Sequence, residues 1–341
     1  MPICRASANS TRRLSSSNHF PLYRLPCESA IDFGGRWGDN AGKTHSPDKK
    51  TPMLIRLLQT WLQNAAKAKV QQAVVQAAKG QLAAEQPPSD APKAGSLKPC
   101  HVGFVFALGI ESGCLEDLLK GSVTIRGNGF VAREGGLNGR RTVIMLAGAG
   151  RENARRATEL LIDGHRPGRV ISAGFAGALS ASLKRNDILL ADRLLCETGG
   201  NVAEIAVELP ANLIAAATQQ CVLRGTLLTA DHVVRLPSQR RKLFERFGAV
   251  AVDMETFAVA EVCRRRQVPF SSVRVINDLA DETLPPDVEH LVNQRSVAAQ
   301  FGAALGAVWR RPVSVKDMYQ LRENALVASL ELAKFLKRLE K

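Results

Sequence analysis

AVAVDMETFAVAEVCRRRQVPFSSVRVINDLAD, residues 249–281, holds two apolar strand-like runs with a helical pattern between them, and each run ends on acids. Val250 to Val252 is short and apolar. Asp253, Met254 and Glu255 follow, and then Phe257, Ala258, Val262 and Cys263 return at helical spacing. Glu255 therefore falls near a helix N-terminus, where unpaired N–H groups favour a carboxylate. Arg264, Arg265 and Arg266 suit the C-terminal end of that helix, and Val268-Pro269 opens a β-branched run, Ser271 to Ile276, that stops at Asn277-Asp278. In α/β sheets the carboxyl ends of strands open onto a ligand crevice, so acids at two such ends form a candidate acid/base pair. The competing reading makes them helix caps and turn formers.

The composition fits a helix-covered sheet. Of 341 residues, 45% are hydrophobic and only 5% aromatic, so the core is built of Ala, Val, Leu and Ile. The seven cysteines show no close CxxC pair, and the six histidines show no HxH or HExxH spacing. That pattern predicts a reducing compartment, a cytoplasmic protein, and neither a metal nor a cofactor. The net charge of +14 invites a nucleic-acid reading. Its distribution argues against one, because residues 1–98 hold 14 basic and 6 acidic residues against 32 and 26 in the much longer remainder. No nucleic-acid-binding motif accompanies the excess.

Residues 1–52 are rich in Ser, Arg, Asn, Gly and Pro without apolar periodicity, which predicts a disordered tail or an extension upstream of a true start at Met53. Residues 53–85 carry an apolar stripe through Leu54, Leu58, Trp61, Leu62, Ala65 and Val74, with Lys67, Lys69 and Lys79 interspersed. This is an amphipathic helix, expected to pack on its own domain or a subunit neighbour, with membrane-surface contact as the alternative. Residues 86–98, with Pro87, Pro88 and Pro92, read as a linker.

From residue 99 the pattern turns to strands and tight turns. Val102 to Leu108 reads as a buried strand and runs into Gly109-Ile110-Glu111-Ser112-Gly113, which places a third acid at a strand end. Gly127 to Leu137 predicts a hairpin. Arg141 to Leu146 predicts a strand that ends in Ala147-Gly148-Ala149-Gly150, ahead of a helix from Glu152 to Leu161, and such a turn can hold an anion on backbone N–H groups. It lacks the third glycine of a dinucleotide fingerprint and the Gly-Lys-Ser/Thr of a Walker loop. Ser172-Ala173-Gly174-Phe175-Ala176-Gly177 sets small residues where a backbone can approach a ligand closely. Asp231-His232 suggests a dyad, but neighbours in a strand point to opposite faces. A helix is predicted over 297–309, and the tail 313–341 reads as an amphipathic helix with Leu321, Leu326, Leu330, Leu336 and Leu339.

Asp253-Met254-Glu255 before an Ala-rich helix, Val273 to Asp281, Gly148 to Asn153 and Ser172 to Asp192 stand in an order that resembles the nucleoside phosphorylase and nucleosidase superfamily. The resemblance is greatest to the methylthioadenosine/S-adenosylhomocysteine nucleosidases, and it covers residues 99 to about 310. It implies a three-layer α/β/α catalytic domain at 99–312 with a mixed central sheet, commonly in a homodimer. The implied activity is hydrolysis of an adenine nucleoside at its N-glycosidic bond, a step of methionine salvage. Asp278 would protonate the purine at N7, and Glu111 with Arg274 would position and activate water. Glu255 would bind the ribose hydroxyls and stabilise the cation, with Met254 packing below the sugar. Gly174, Phe175 and Gly177 would line the site, Val233 and Val234 would touch the base, and Gly148, Gly150 and Arg151 are the candidate anion donors. Phe175 departs from the family, which usually carries a hydroxyl there, and so implies a different or more hydrophobic substrate. The alternatives are a phosphorylase, a nucleosidase for a lipid-linked adenosine such as an adenosylhopanoid, and a non-catalytic nucleoside binder.

Overall fold

Along β2 (Val102–Phe106), Val102, Phe104 and Phe106 face one side of the sheet and Val105 faces the other, all of them buried. A strand apolar on both faces needs a layer on each side, and the fold supplies two. The computed structural model describes residues 23–24, 99–127, 130–218, 222–286, 288 and 314–340. On one face lie α1 (Gly109–Glu116), α3 (Ala211–Thr218) and α6 (Ser314–Leu339), packed with Phe104, Phe106, Ile144, Ile171 and Val273. On the other lie α2 (Arg151–His165) and α5 (Thr256–Arg266), packed with Val105, Val143, Met145 and Val170. This is the expected three-layer α/β/α architecture. Close packing leaves no room for a side chain at Gly103, where a Cβ would meet the Leu161 side chain.

The remaining strands are β1 (Tyr23–Arg24), β3 (Lys120–Gly127), β4 (Phe130–Leu137), β5 (Arg140–Leu146), β6 (Val170–Ala178), β7 (Ile188–Thr198), β8 (Asn201–Ala206), β9 (Val222–Thr229), β10 (Ala251–Asp253) and β11 (Phe270–Asp278). The sheet is mixed and runs β1-β9-β7-β11-β6-β2-β5-β4-β3, with β8 on β7 and β10 joined to both β6 and β9. Those last pairings close β6, β11, β7, β9 and β10 into a ring. Closure removes the sheet edges there and fixes the register of every member. The helix α4 (Pro237–Phe247) covers the ring beside Leu179, Leu195 and Leu228.

The small-residue segment from Ser172 to Gly177 lies within β6, which runs on to Ala178. Two expectations change. The tail helix forms, but Leu326 and Leu330 are exposed, and Ala325, Ala328, Leu332, Ala333 and Leu336 make its buried face. Small alanines let α6 lie close to α1 and the sheet, and the larger leucines at 326 and 330 fall on the opposite side. Residues 23–24, placed within the tail expected to be disordered, pair as β1 with Leu223 and Arg224. The rest of the tail, the helix of 53–85, the linker up to residue 98 and the predicted helix 297–309 lie outside the described residues. Among the described residues no helix is long and apolar enough to cross a membrane.

Candidate active site

Glu111 stands in the first turn of α1 and serves two elements at once. Its Oε2 accepts the N–H groups of Ala107 (3.0 Å) and Leu108 (2.8 Å), capping its own helix, while Oε1 accepts the Phe175 N–H at 2.9 Å. Helix cap and site acid are therefore the same carboxylate. Burial raises its pKa, and Arg274 together with these three N–H groups opposes the rise.

Arg274 sits opposite Gly174 in the parallel β11–β6 register. A Cβ on Gly174 would lie under 3.0 Å from both Arg274 Nη1 and Glu111 Oε1, so the missing side chain is what lets cation and acid meet over the strand. The guanidinium is held from behind. Its Nη2 bonds Ser172 Oγ at 2.7 Å and pairs with Asp253 Oδ2 at 2.9 Å, and its Nε bonds Thr256 Oγ1 at 3.1 Å. Asp253 in turn accepts the Thr256 N–H at 3.1 Å and the Thr229 hydroxyl at 2.7 Å. A fully paired buried ion pair of this kind is rigid, and loss of one partner strands the other.

Glu255 occupies the N-cap of α5, with Oε1 accepting the Gly150 N–H at 2.7 Å. Burial first, and the Asp253 charge second, push its pKa up to about 8. Near neutral pH it thus keeps a proton, so it can both donate and accept a hydrogen bond. Met254 is half-buried beside it.

Asp278 ends β11 opposite Gly177, after a bulge at Asn277. Gly177 pairs with Val252 of β10 on its other side. Because β10 runs antiparallel to β6, the carboxyl ends of β10 and β11 point in opposite directions, contrary to the simple strand-end picture. They converge because β10 lies beside the last residues of β6 and runs back along it, which brings Asp253 to Arg274. Asp278 lies three positions further along β6 than Arg274 does, roughly 10 Å at the usual strand rise. Burial raises its pKa as well, against the Arg240 cation.

The candidate anion donors are already engaged. Gly150 gives its N–H to Glu255, and Arg151 bonds Cys196 Sγ at 2.8 Å and Thr198 Oγ1 at 3.0 Å and pairs with Asp231. Gly148 has a positive φ and gives its N–H to the Ala107 carbonyl. A cleft of about 670 Å³ opens beside this turn, lined by Gly150, Arg151, Asn153, Cys196 and Phe257. Asp231 and His232 are exposed in the bend after β9, and no dyad forms between them. Val234 is buried in the cluster with Leu228 and Phe247, which leaves half-buried Val233 as the more open of the pair. Phe175 packs its ring against the α1 and α6 side of the core.

One neighbour of the acids escaped the sequence reading. Arg240 of α4 is 1% exposed. It shares a helical stripe with Leu243, Phe244 and Phe247, and an arginine on an apolar stripe is the signal that marks it.

The model of the phosphorylase superfamily matches residues 102–309. The chain belongs to that superfamily. Solved structures of similar fold include a 5'-methylthioadenosine/S-adenosylhomocysteine nucleosidase from Neisseria meningitidis in complex with methylthio-immucillin-A, at 23% identity and TM-score 0.54. That alignment covers 71% of this chain and 98% of the other. A futalosine hydrolase of Helicobacter pylori matches at 22% identity and TM-score 0.54, over 71% of this chain and 97% of the other. The Campylobacter jejuni nucleosidase matches at 19% identity and TM-score 0.55, over 70% and 98%. Within the superfamily, similarity at this level speaks for the fold.

Proposed function

We propose that the protein is a nucleosidase that hydrolyses the N-glycosidic bond of an adenine nucleoside. Two of the similar structures carry the name of methylthioadenosine/S-adenosylhomocysteine nucleosidases, and these two nucleosides are the substrates we place first. The observation that carries the reading is the meeting of Glu111 and Arg274 over Gly174, with Asp278 further along the same strand pair.

In this reading Asp278, whose pKa burial raises, gives its proton to the purine N7 as the N9–C1′ bond breaks. Water held by Glu111 and Arg274 attacks C1′ and passes a proton to the Glu111 carboxylate. Glu255 fixes the ribose hydroxyls, and Met254 lies under the sugar. The charge on the sugar carbon rises as the leaving base departs, so the proton from Asp278 matters most at the transition state. Water is favoured over phosphate as the nucleophile because Gly150, Arg151 and Arg274 each have protein acceptors already, whereas phosphate needs several free convergent donors.

The test is base release by the purified full chain from methylthioadenosine, S-adenosylhomocysteine, adenosine and inosine, with and without phosphate. Adenine release at a rate independent of phosphate is the expected result. Release that requires phosphate would make the protein a phosphorylase, and no release from any of the four would refute this assignment of substrates.

A further inference from the structure

We propose that Arg240 is a positioning residue for the leaving-group acid, an interior cation that stabilises the Asp278 carboxylate formed when the base takes its proton. This rests on the nucleosidase reading above. The placement is specific. Arg240 Nη2 lies 3.9 Å from Asp278 Oδ2, Nη1 bonds the carbonyls of Leu279 (2.7 Å) and Ala178 (3.4 Å), and Nε bonds the carbonyl of Val234 (3.2 Å). One side chain from α4 thus ties together the end of β6, the segment that follows Asp278 at the end of β11, and the loop after β9.

Its electrostatic situation differs from that of the other buried arginine. Arg274 is matched at 2.9 Å by Asp253, so its charge is largely spent locally. The hydrogen-bond partners of Arg240 are neutral carbonyls, and of the carboxylates that act on its charge Asp278 comes first, ahead of Glu282 and Asp281. Burying such a cation is costly unless something recovers the cost. A carboxylate that appears during turnover does so, because the attraction between opposite charges strengthens in a site shielded from water. When Asp278 is neutral the carbonyls hold Arg240. Once Asp278 has given up its proton, the ion pair forms with no movement of the scaffold.

Other groups face Asp278 as well. Asn277 Nδ2 donates to Oδ1 at 2.9 Å, which leaves Oδ2, the atom on the Arg240 side, to carry the transferable proton. Glu282 follows on the next loop and Arg185 reaches in from the turn before β7, but these two are paired with each other at 2.6 Å. Their effects on Asp278 oppose each other, and the Arg240 cation acts on it more strongly than either.

The test uses the full chain and whichever of methylthioadenosine, S-adenosylhomocysteine and adenosine the wild type turns over fastest. It compares Arg240→Gln, which keeps N–H donors for the carbonyls but no charge, with Arg240→Lys, which keeps the charge. The readouts are kcat, the basic limb of the kcat/KM pH profile, and the melting temperature. Without the cation Asp278 is a weaker acid, so in the Gln variant the limb moves up by roughly one pH unit or more and kcat falls roughly 100-fold. In the Lys variant the limb stays at the wild-type position. A Gln variant that melts lower but keeps the wild-type limb would show Arg240 to be a brace only and overturn the proposal. Should the Gln variant fail to fold, the Lys variant still decides, since a limb displaced upward despite the retained charge also overturns it. A wild type that releases no base from any nucleoside overturns the parent reading instead, and this separates the two failures.

Discussion

At the scale of single residues, the strongest consequence of the proposed function concerns Asp278, the acid proposed to hand over a proton. Asp278→Asn keeps the size and the contact with Asn277 but can give no proton to N7, so base release should fall roughly 10²- to 10⁴-fold. Its melting temperature should match or exceed the wild type, because a buried ionisable group has been removed. Chromatographic assay of free adenine checks the first part, and full turnover by both this variant and Glu111→Gln would defeat the mechanism. Gly174→Ala tests the other half of the site. Its Cβ would press on Arg274 and Glu111, neither of which can retreat from its own bonds, so a cost of about 1–3 kcal/mol and loss of activity are expected. Activity and urea midpoint near wild type would mean that the cation and acid are not locked over that strand. The acids were legible in the sequence because each stands where an apolar run ends. Asp253 was visible too, but its task of holding Arg274 was not, since that pairing links residues from two different strands across the ring. Arg240 was hidden for a simpler reason. Arg240-Arg241-Lys242 reads as a solvated run, and only the position of the first of them on the stripe with Phe244 and Phe247 sets it apart.

At the scale of elements, periodicity located most strands and helices of the domain, but it could not say which face of a helix the domain would choose. In α6 the stripe of leucines includes Leu326 and Leu330, which are exposed, and the face with Ala325, Ala328 and Leu332 is the buried one because α1 approaches closely there. That choice matters for the site, since Ser329 on the same face donates to the Glu111 carbonyl at 3.1 Å. Helix α6 therefore braces the turn that presents Glu111. Leu332 is fully buried in that contact, and Leu332→Ala should cost about 2–5 kcal/mol. Leu330→Ala, on the exposed side, should stay within about 0.5 kcal/mol of wild type. Urea unfolding of the two variants gives the comparison, and equal losses would contradict the assignment of the faces. The ring of five strands was equally unreadable from local pattern. It depends on β10 pairing with β6 and β9 at once, and three residues carry no periodicity that announces two partners.

At the scale of the whole molecule, the site stores charge in the interior, and folding stability must register it. Glu255 has an ordinary pKa of 4.5 in an unfolded chain and about 8 in the fold. Between those values the folded state holds a proton that the unfolded state has lost, so this group makes stability fall as pH rises. Its contribution is fully present below pH 4.5 and gone above about pH 8. Glu111 and Asp278, both raised by burial, act in the same direction. His101 and His165 act in the opposite one. Burial lowers them from 6.5, so the unfolded chain takes up protons first as pH falls through that value and stability drops on the acid side. The two families of groups oppose each other in the wild-type curve, and a difference measurement is needed to isolate one. Glu255→Gln is uncharged at every pH and can still accept the Gly150 N–H. Its stability relative to wild type should therefore climb steadily from about pH 5 to about pH 8 and then level off. Urea denaturation at a series of pH values measures this. A difference that is flat across the range would mean that Glu255 ionises like a surface carboxylate, and the neutral, hydroxyl-binding role given to it would have to be abandoned.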